Sequence, residues 1–127
     1  MNRQINPPSI APTAANYAHA ILSDAPSRWL HTSGVVPTAS DGSTPEGVGA
    51  QAEVVWKNIA AMLADAGMSP TDVVSVTTYV VAGEPLAPVM AARDRFLAGH
   101  RAASTLVTVP ELAQPVWRME VAIVAAR

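Results

Sequence analysis

Few side chains in this sequence could carry chemistry, and their spacing narrows the choice. There is no cysteine, which excludes thiolate catalysis, disulfides and cysteine metal sites. His19, His31 and His100 fall in unrelated stretches with no metal-ligand spacing between them, and read as surface or packing residues. Ser104 and Thr105 have no adjacent base, which argues against a nucleophilic hydroxyl. What stands out is Arg101 in "GHRAASTLVTV", one arginine ahead of Ala102 and Ala103, where a polar side chain could do chemistry. Among the other polar or close-approach positions are Glu120 in "WRMEVAIVA", Tyr17 in "NYAHAI" and the pair Ser33-Gly34 in "LHTSGVV". Such a set could grip an anion, hold a water or move a proton. Each also has a plainer reading. Glu120 stands two residues from Arg118 on one face of a strand, where the two can pair. Tyr17 can be a half-buried aromatic, Gly34 a bulge, and Arg101 a solvated loop residue or one bonded across a subunit interface.

The elements that must position these residues are readable from pattern. The first fifteen residues, rich in Pro, Ala and Ser, are expected to be largely irregular. Tyr17 to Ser23 has strand length, and Arg28 to Val36 follows "DAPS" as its antiparallel partner. Residues 37 to 44 are almost entirely turn formers. Thr44-Pro45-Glu46 predicts a helix start, with Thr as N-cap and Pro at the first helical position. Val48, Ala52, Val55, Ile59, Met62 and Ala66 recur at helical spacing until Gly67 stops the run. The β-branched stretch Asp72 to Ala82 predicts a central strand. A second helix carries Pro88 in its first turn, with Val89, Met90, Phe96 and Leu97, and ends at Gly99. Strands over Ser104 to Val109 and Trp117 to Ala126 finish the chain. The order β-β-α-β-α-β-β predicts an α+β layout with both helices on one face of the sheet.

At 127 residues the sequence is expected to form one domain, 1-127. Half of it is apolar and only 14% charged, too little charge to clothe a monomer of this size. In the last strand Trp117, Met119, Val121 and Ile123 suit the helix side. The opposite face carries Ala122 and Val124, which argues for cover by a second subunit. The net charge of -2 and the absence of a basic stripe make nucleic acid a poor partner. No signal-peptide core and no membrane-length apolar run is present, so a soluble cytoplasmic protein without a membrane partner is expected.

Taken together, the stretches resemble the RidA/YjgF family, also called the endoribonuclease L-PSP family. "NYAHAI" resembles the family's "PYSQAV", "LHTSGVVP" its "SGQIP", and "QAEVVWKNIAAMLADAG" its first helix. "DVVSVTTYV" is similar to the central strand, and "RAASTLVTV" with "WRMEVAIVA" to the two closing strands, the last usually "VEIEAIA". The specificity lies in the order and spacing of these stretches over nearly the whole chain. The resemblance implies a chorismate-mutase-like fold and a homotrimer with a small-molecule cleft at each subunit interface. It implies hydrolysis of reactive enamines or imines such as 2-aminoacrylate to the keto acid and ammonia, with no metal or cofactor.

On the resemblance, Glu120 and Tyr17 are the candidate catalytic residues, Glu120 helping to hold the attacking water. Ser33, Gly34, Arg101 and Ala103 are the candidate substrate-binding positions. Two departures stand out. The arginine of the family's "PARS/T", which would grip a substrate carboxylate, is replaced by Ala103, and the second glutamate of "VEIEA" by Ala122. Arg101 instead fits branches written "RPAST". Three readings follow: a deaminase-like hydrolase of altered substrate choice with weak or no activity on 2-aminoacrylate or imino acids; a metabolite-binding trimer without turnover; and, least supported, a ribonuclease, for which a His pair or metal carboxylates are missing.

Overall fold

The computed structural model describes residues 1–127. Its sheet is built on β4 (Val73–Val81), a run of Val and Thr broken only by Ser75 and Tyr79. The β-branched side chains fit a pleated surface, and Val73, Val76, Thr78 and Val80 are buried on the helix side. On one side β4 pairs antiparallel with β6 (Met119–Ala126), which in turn pairs antiparallel with β3 (Trp29–His31). On the other side it pairs parallel with β5 (Ala103–Val109), giving a mixed sheet in the order β3-β6-β4-β5. Parallel neighbours need a crossover, and α2 (Ala87–Leu97) supplies it.

α1 (Val48–Asp65) buries Val48, Ala52, Val55, Ile59 and Leu63 along one stripe, with Trp56 beside them. The Trp56 ring stacks on Phe96 of α2 at 4.9 Å between centroids, locking the two helices together. The sheet's contribution to this core is Met119, Val121, Ile123 and Ala125 of β6 with Val73, Val76 and Val80 of β4. Full burial of a Val, Leu or Ile side chain is worth ~1.5–3 kcal/mol, so this layer supplies most of the fold's stability. No helix is long and apolar enough to cross a membrane.

The α+β layout with both helices packed on one sheet is as the sequence predicts; several details differ. The amino terminus is not wholly irregular: Asn2–Ile5 form a strand, β1, which pairs with β2 (Ala20–Ser23) as a separate two-stranded ribbon. The partner of β2 is therefore β1 rather than the Arg28 to Val36 stretch, which joins β6 instead. The ribbon is fastened to the sheet by the Asn2 carboxamide, which donates to the Ala126 carbonyl at 2.8 Å.

The first helix begins at Val48, after Gly47 at φ 88°, and Thr44 does not cap it. Gly47 adopts a left-handed conformation costly for other residues, and this turn resets the chain direction after Pro45. Met62 is 40% exposed, and Leu63 takes the core position expected of it. The turn-rich loop is closed locally: the Asp41 carboxylate accepts from the Ser43 hydroxyl at 2.6 Å and the Ser43 N–H at 2.9 Å, which lowers its pKa below the ordinary value.

Candidate functional site

Strand register sets out the side chains of the helix-free face in rows. One row runs His31, Val124, Ser75, Ala103 across all four strands. Four residues further along β4 another runs Glu120, Tyr79, Val107. At ~3.3 Å per residue and ~4.8 Å per strand, Ala103 and Glu120 of one chain are ~16 Å apart on this face. The expected site residues thus form two groups.

The first group is Glu120 with Ser33 and Gly34. Gly34 follows β3 and precedes Val35, whose backbone exchanges hydrogen bonds with Val121 at 2.6 and 3.1 Å. This pins Gly34 against the side chain of Glu120. A Cβ built on Gly34 would overlap Glu120 Oε2 and stand 2.7 Å from the carboxyl carbon. The carboxylate occupies the space that any other residue would fill. The plainer reading of Glu120, an ion pair with Arg118, does not hold: Arg118 Nε donates to Glu84 at 2.8 Å. That leaves the Glu120 carboxylate without a cation from its own chain, half-buried on a face no helix covers.

The second group is Tyr17, Arg101 and Ala103. Ala18 forms a parallel bridge to Ala103, and its N–H donates to the Ala102 carbonyl at 3.0 Å. This docks Tyr17 at the start of β5. Its hydroxyl accepts from the Ala14 N–H at 3.4 Å, and its ring meets His19 edge-on at 6.2 Å. Ala102 and Ala103 have different duties: Ala102 is buried in the core, whereas Ala103 lies on the helix-free face beside Ser75.

Arg101 is exposed and turns to Asn16, donating from Nη2 to Oδ1 at 3.4 Å. It shares a polar cleft of about 150 Å³ with Asn16, Asp94, Gly99 and His100. Asn16 donates in turn to Asp94 at 3.2 Å, and Asp94 accepts from Nε of the buried Arg93 at 3.1 Å. Arg93 also reaches Ser104 at 3.4 Å. Its Nη2 lies 3.0 Å from Asp94, within ion-pair distance, yet is out of line for a hydrogen bond and has no other partner. A polar chain from Ser104 to Arg101 therefore holds the arginine beside α2.

Sequence reasoning missed Asn16 and Asp94, separated by 78 residues and joined only by the fold. It also missed Trp29, 53% exposed and stacked on His31 at 6.1 Å on the same face. An aromatic at a strand edge was the available signal. The remaining histidines are engaged structurally: His19 Nε2 donates to the Ala11 carbonyl, and His100 Nε2 to the Val73 carbonyl, each at 2.7 Å.

Comparison with known proteins agrees with this architecture. Residues 9–127 match the family described as endoribonuclease L-PSP. A Rid-family protein of unknown function from Yersinia pestis, YyfB, is 32% identical over 99% of this chain and 98% of its own, with a TM-score of 0.89. The YjgF gene product of E. coli is 27% identical over 91% of each chain, with a TM-score of 0.73. A YjgF-family protein from Neisseria meningitidis is 26% identical over 91% of this chain and 90% of its own, with a TM-score of 0.70. No curated protein matches the sequence. With the family match spanning nearly the whole chain and the fold shared throughout, the chain belongs to the endoribonuclease L-PSP, or RidA/YjgF, family.

Proposed function

We propose that this chain is one subunit of a cytoplasmic homotrimer that binds a small metabolite at each subunit interface and hydrolyses it as a deaminase-like enzyme of altered substrate choice. The observation that carries the reading is the Glu120 carboxylate: uncovered by any helix, free of Arg118, and seated against Gly34. A second copy supplies what one chain lacks. With ~16 Å between its two groups of site residues, a single small ligand spans them only if the Glu120 group of one subunit meets the Tyr17–Ala103 group of the next.

In that cleft Glu120 accepts a hydrogen bond from a water and aims its oxygen at the carbon of a C=N bond. Attack pushes the C=N electron pair onto nitrogen, which takes a proton and yields a carbinolamine. Collapse expels ammonia and leaves the carbonyl, so imine and water become ketone or aldehyde and ammonia. Tyr17 donates to substrate or water from its hydroxyl. Ser33 and Gly34 bring the backbone close to the ligand. With Ala103 in place of the family arginine, activity on 2-aminoacrylate and other imino acids is weak or absent.

The test is ammonia release from a panel of imines generated in situ, with wild type and Glu120→Gln compared. Loss of ~100-fold or more in the variant is expected if the carboxylate orients the water. A wild type that accelerates no member of the panel overturns hydrolysis. The second reading, a trimer that binds a metabolite without turnover, would then stand; the alanines at 103 and 122, where the family carries charge, favour it. Ribonuclease activity has no support from the residues gathered on this face.

A further inference from the structure

Where the β1–β2 ribbon overhangs the sheet there is a groove of about 480 Å³, in the size range of small-molecule pockets. Its floor is the row Val124, Ser75, Ala103, and Ile21, Trp29 and His19 stand among its walls. No Lys, Arg, Asp or Glu lines it. Arg101, two residues before Ala103, is drawn toward Asn16. The Ser75 hydroxyl has no partner in the chain, and His19, with Nε2 given to Ala11, keeps Nδ1 as an acceptor in its neutral form.

We propose that this groove binds an uncharged, flat or aromatic small molecule, stacked on Trp29 and held by one hydrogen bond to Ser75, and that it selects against carboxylates. This deepens the preceding reading and rests on it only in making the groove part of the substrate site; the binding itself requires no turnover. The selection follows from desolvation. An anion entering the groove sheds water with no cation or cluster of donors to replace it, whereas a neutral ring loses little and gains contact with Trp29. An arginine at 103 would reverse this, standing in the floor row beside Ser75.

Benzamide and benzoate make a matched pair of probes, alike in shape and differing in charge. Titration of the full chain, followed by saturation-transfer NMR and Trp fluorescence, is expected to show benzamide binding at least about tenfold tighter than benzoate. Trp29→Ala should weaken benzamide about fivefold or more and Trp29→Phe should restore most of it, as stacking requires. Ala103→Arg should shift the preference toward benzoate by about tenfold or more. Equal binding of the two probes to wild type, or benzamide binding indifferent to Trp29→Ala, overturns the proposal. So does a groove that takes neither probe while Trp29 is shielded from acrylamide, because a second copy then fills it. Probe selectivity as expected, with no imine hydrolysed, would retain the groove and discard the enzyme.

Discussion

The carboxylate of Glu120 rests where the Cβ of residue 34 would be, so the glycine and the glutamate are geometrically one unit. Gly34 does not have the left-handed backbone of Gly47 or Gly67, and its lack of a side chain answers to Glu120 rather than to a turn. The atoms in the way belong to the end of a flexible side chain, which can move. Gly34→Ala should therefore fold normally, with stability changed by no more than ~1 kcal/mol. The displaced carboxylate should cost ~100-fold in any turnover that depends on it, as misplacement by about 1 Å does elsewhere. Thermal melts and imine hydrolysis measured on the same preparation check both halves.

Much of this arrangement was legible in the sequence, for identifiable reasons. β4 and α1 were readable because their apolar periods are strong and long, and because Gly67 marks the helix end. β1 was not, since Asn2–Ile5 carries little β signal; its place comes from pairing with β2 and from the Asn2 bond to Ala126, across 124 residues. Thr44-Pro45-Glu46 has the composition of a cap, but Gly47 makes the turn and the helix starts at Val48. Motif order singles out Tyr17, Gly34, Ala103 and Glu120 as candidates, but says nothing of their separation. That depends on strand register, which pairs Ser75 with Ala103 and Tyr79 with Glu120 and which no local pattern encodes.

Assembly can be tested on the same face. Ala122 lies between the Ala103 and Glu120 rows, opposite Thr77, where a small side chain suits close approach of another chain. Ala122→Lys places a charge there. The variant should sediment as a monomer at micromolar concentration while wild type sediments as a trimer, with unchanged far-UV circular dichroism. A wild type that is already monomeric would remove the basis for a shared cleft.

Gln51 is the polar fastener of the opposite end. Its side-chain nitrogen donates to the carbonyls of Pro45 at 3.0 Å and Val116 at 2.8 Å, and its oxygen accepts from the Arg118 N–H at 2.8 Å. It is buried at the first turn of α1 and ties the loop before β6 to that helix. Gln51→Leu keeps the volume and removes all three bonds. It should cost about 1.5–3 kcal/mol, less than three buried bonds would suggest because Val116 is exposed and its carbonyl can turn to water. A lower urea midpoint and faster amide exchange at Arg118 are the readouts.

On the family resemblance, residue 103 is where an arginine would stand, and this chain has alanine there. A guanidinium gripping a carboxylate makes charge-assisted hydrogen bonds worth ~1.5–3 kcal/mol each, so its loss should cost ~100-fold or more in productive binding of an imino acid. Wild type should accordingly show little or no activity on imino acids released by an amino-acid oxidase or a dehydratase. Ala103→Arg should raise that activity, because residue 103 already faces the uncovered side of the sheet and Glu120 is unpaired within the chain. The gain should vanish in the double variant with Glu120→Gln, which separates a restored site from a general effect of added charge. Arg101 is a weak substitute as placed, exposed and turned to Asn16. If wild type nevertheless matches an active relative on imino acids, the inference from Ala103 fails, and loss of that activity in Arg101→Ala would assign the carboxylate to Arg101 instead.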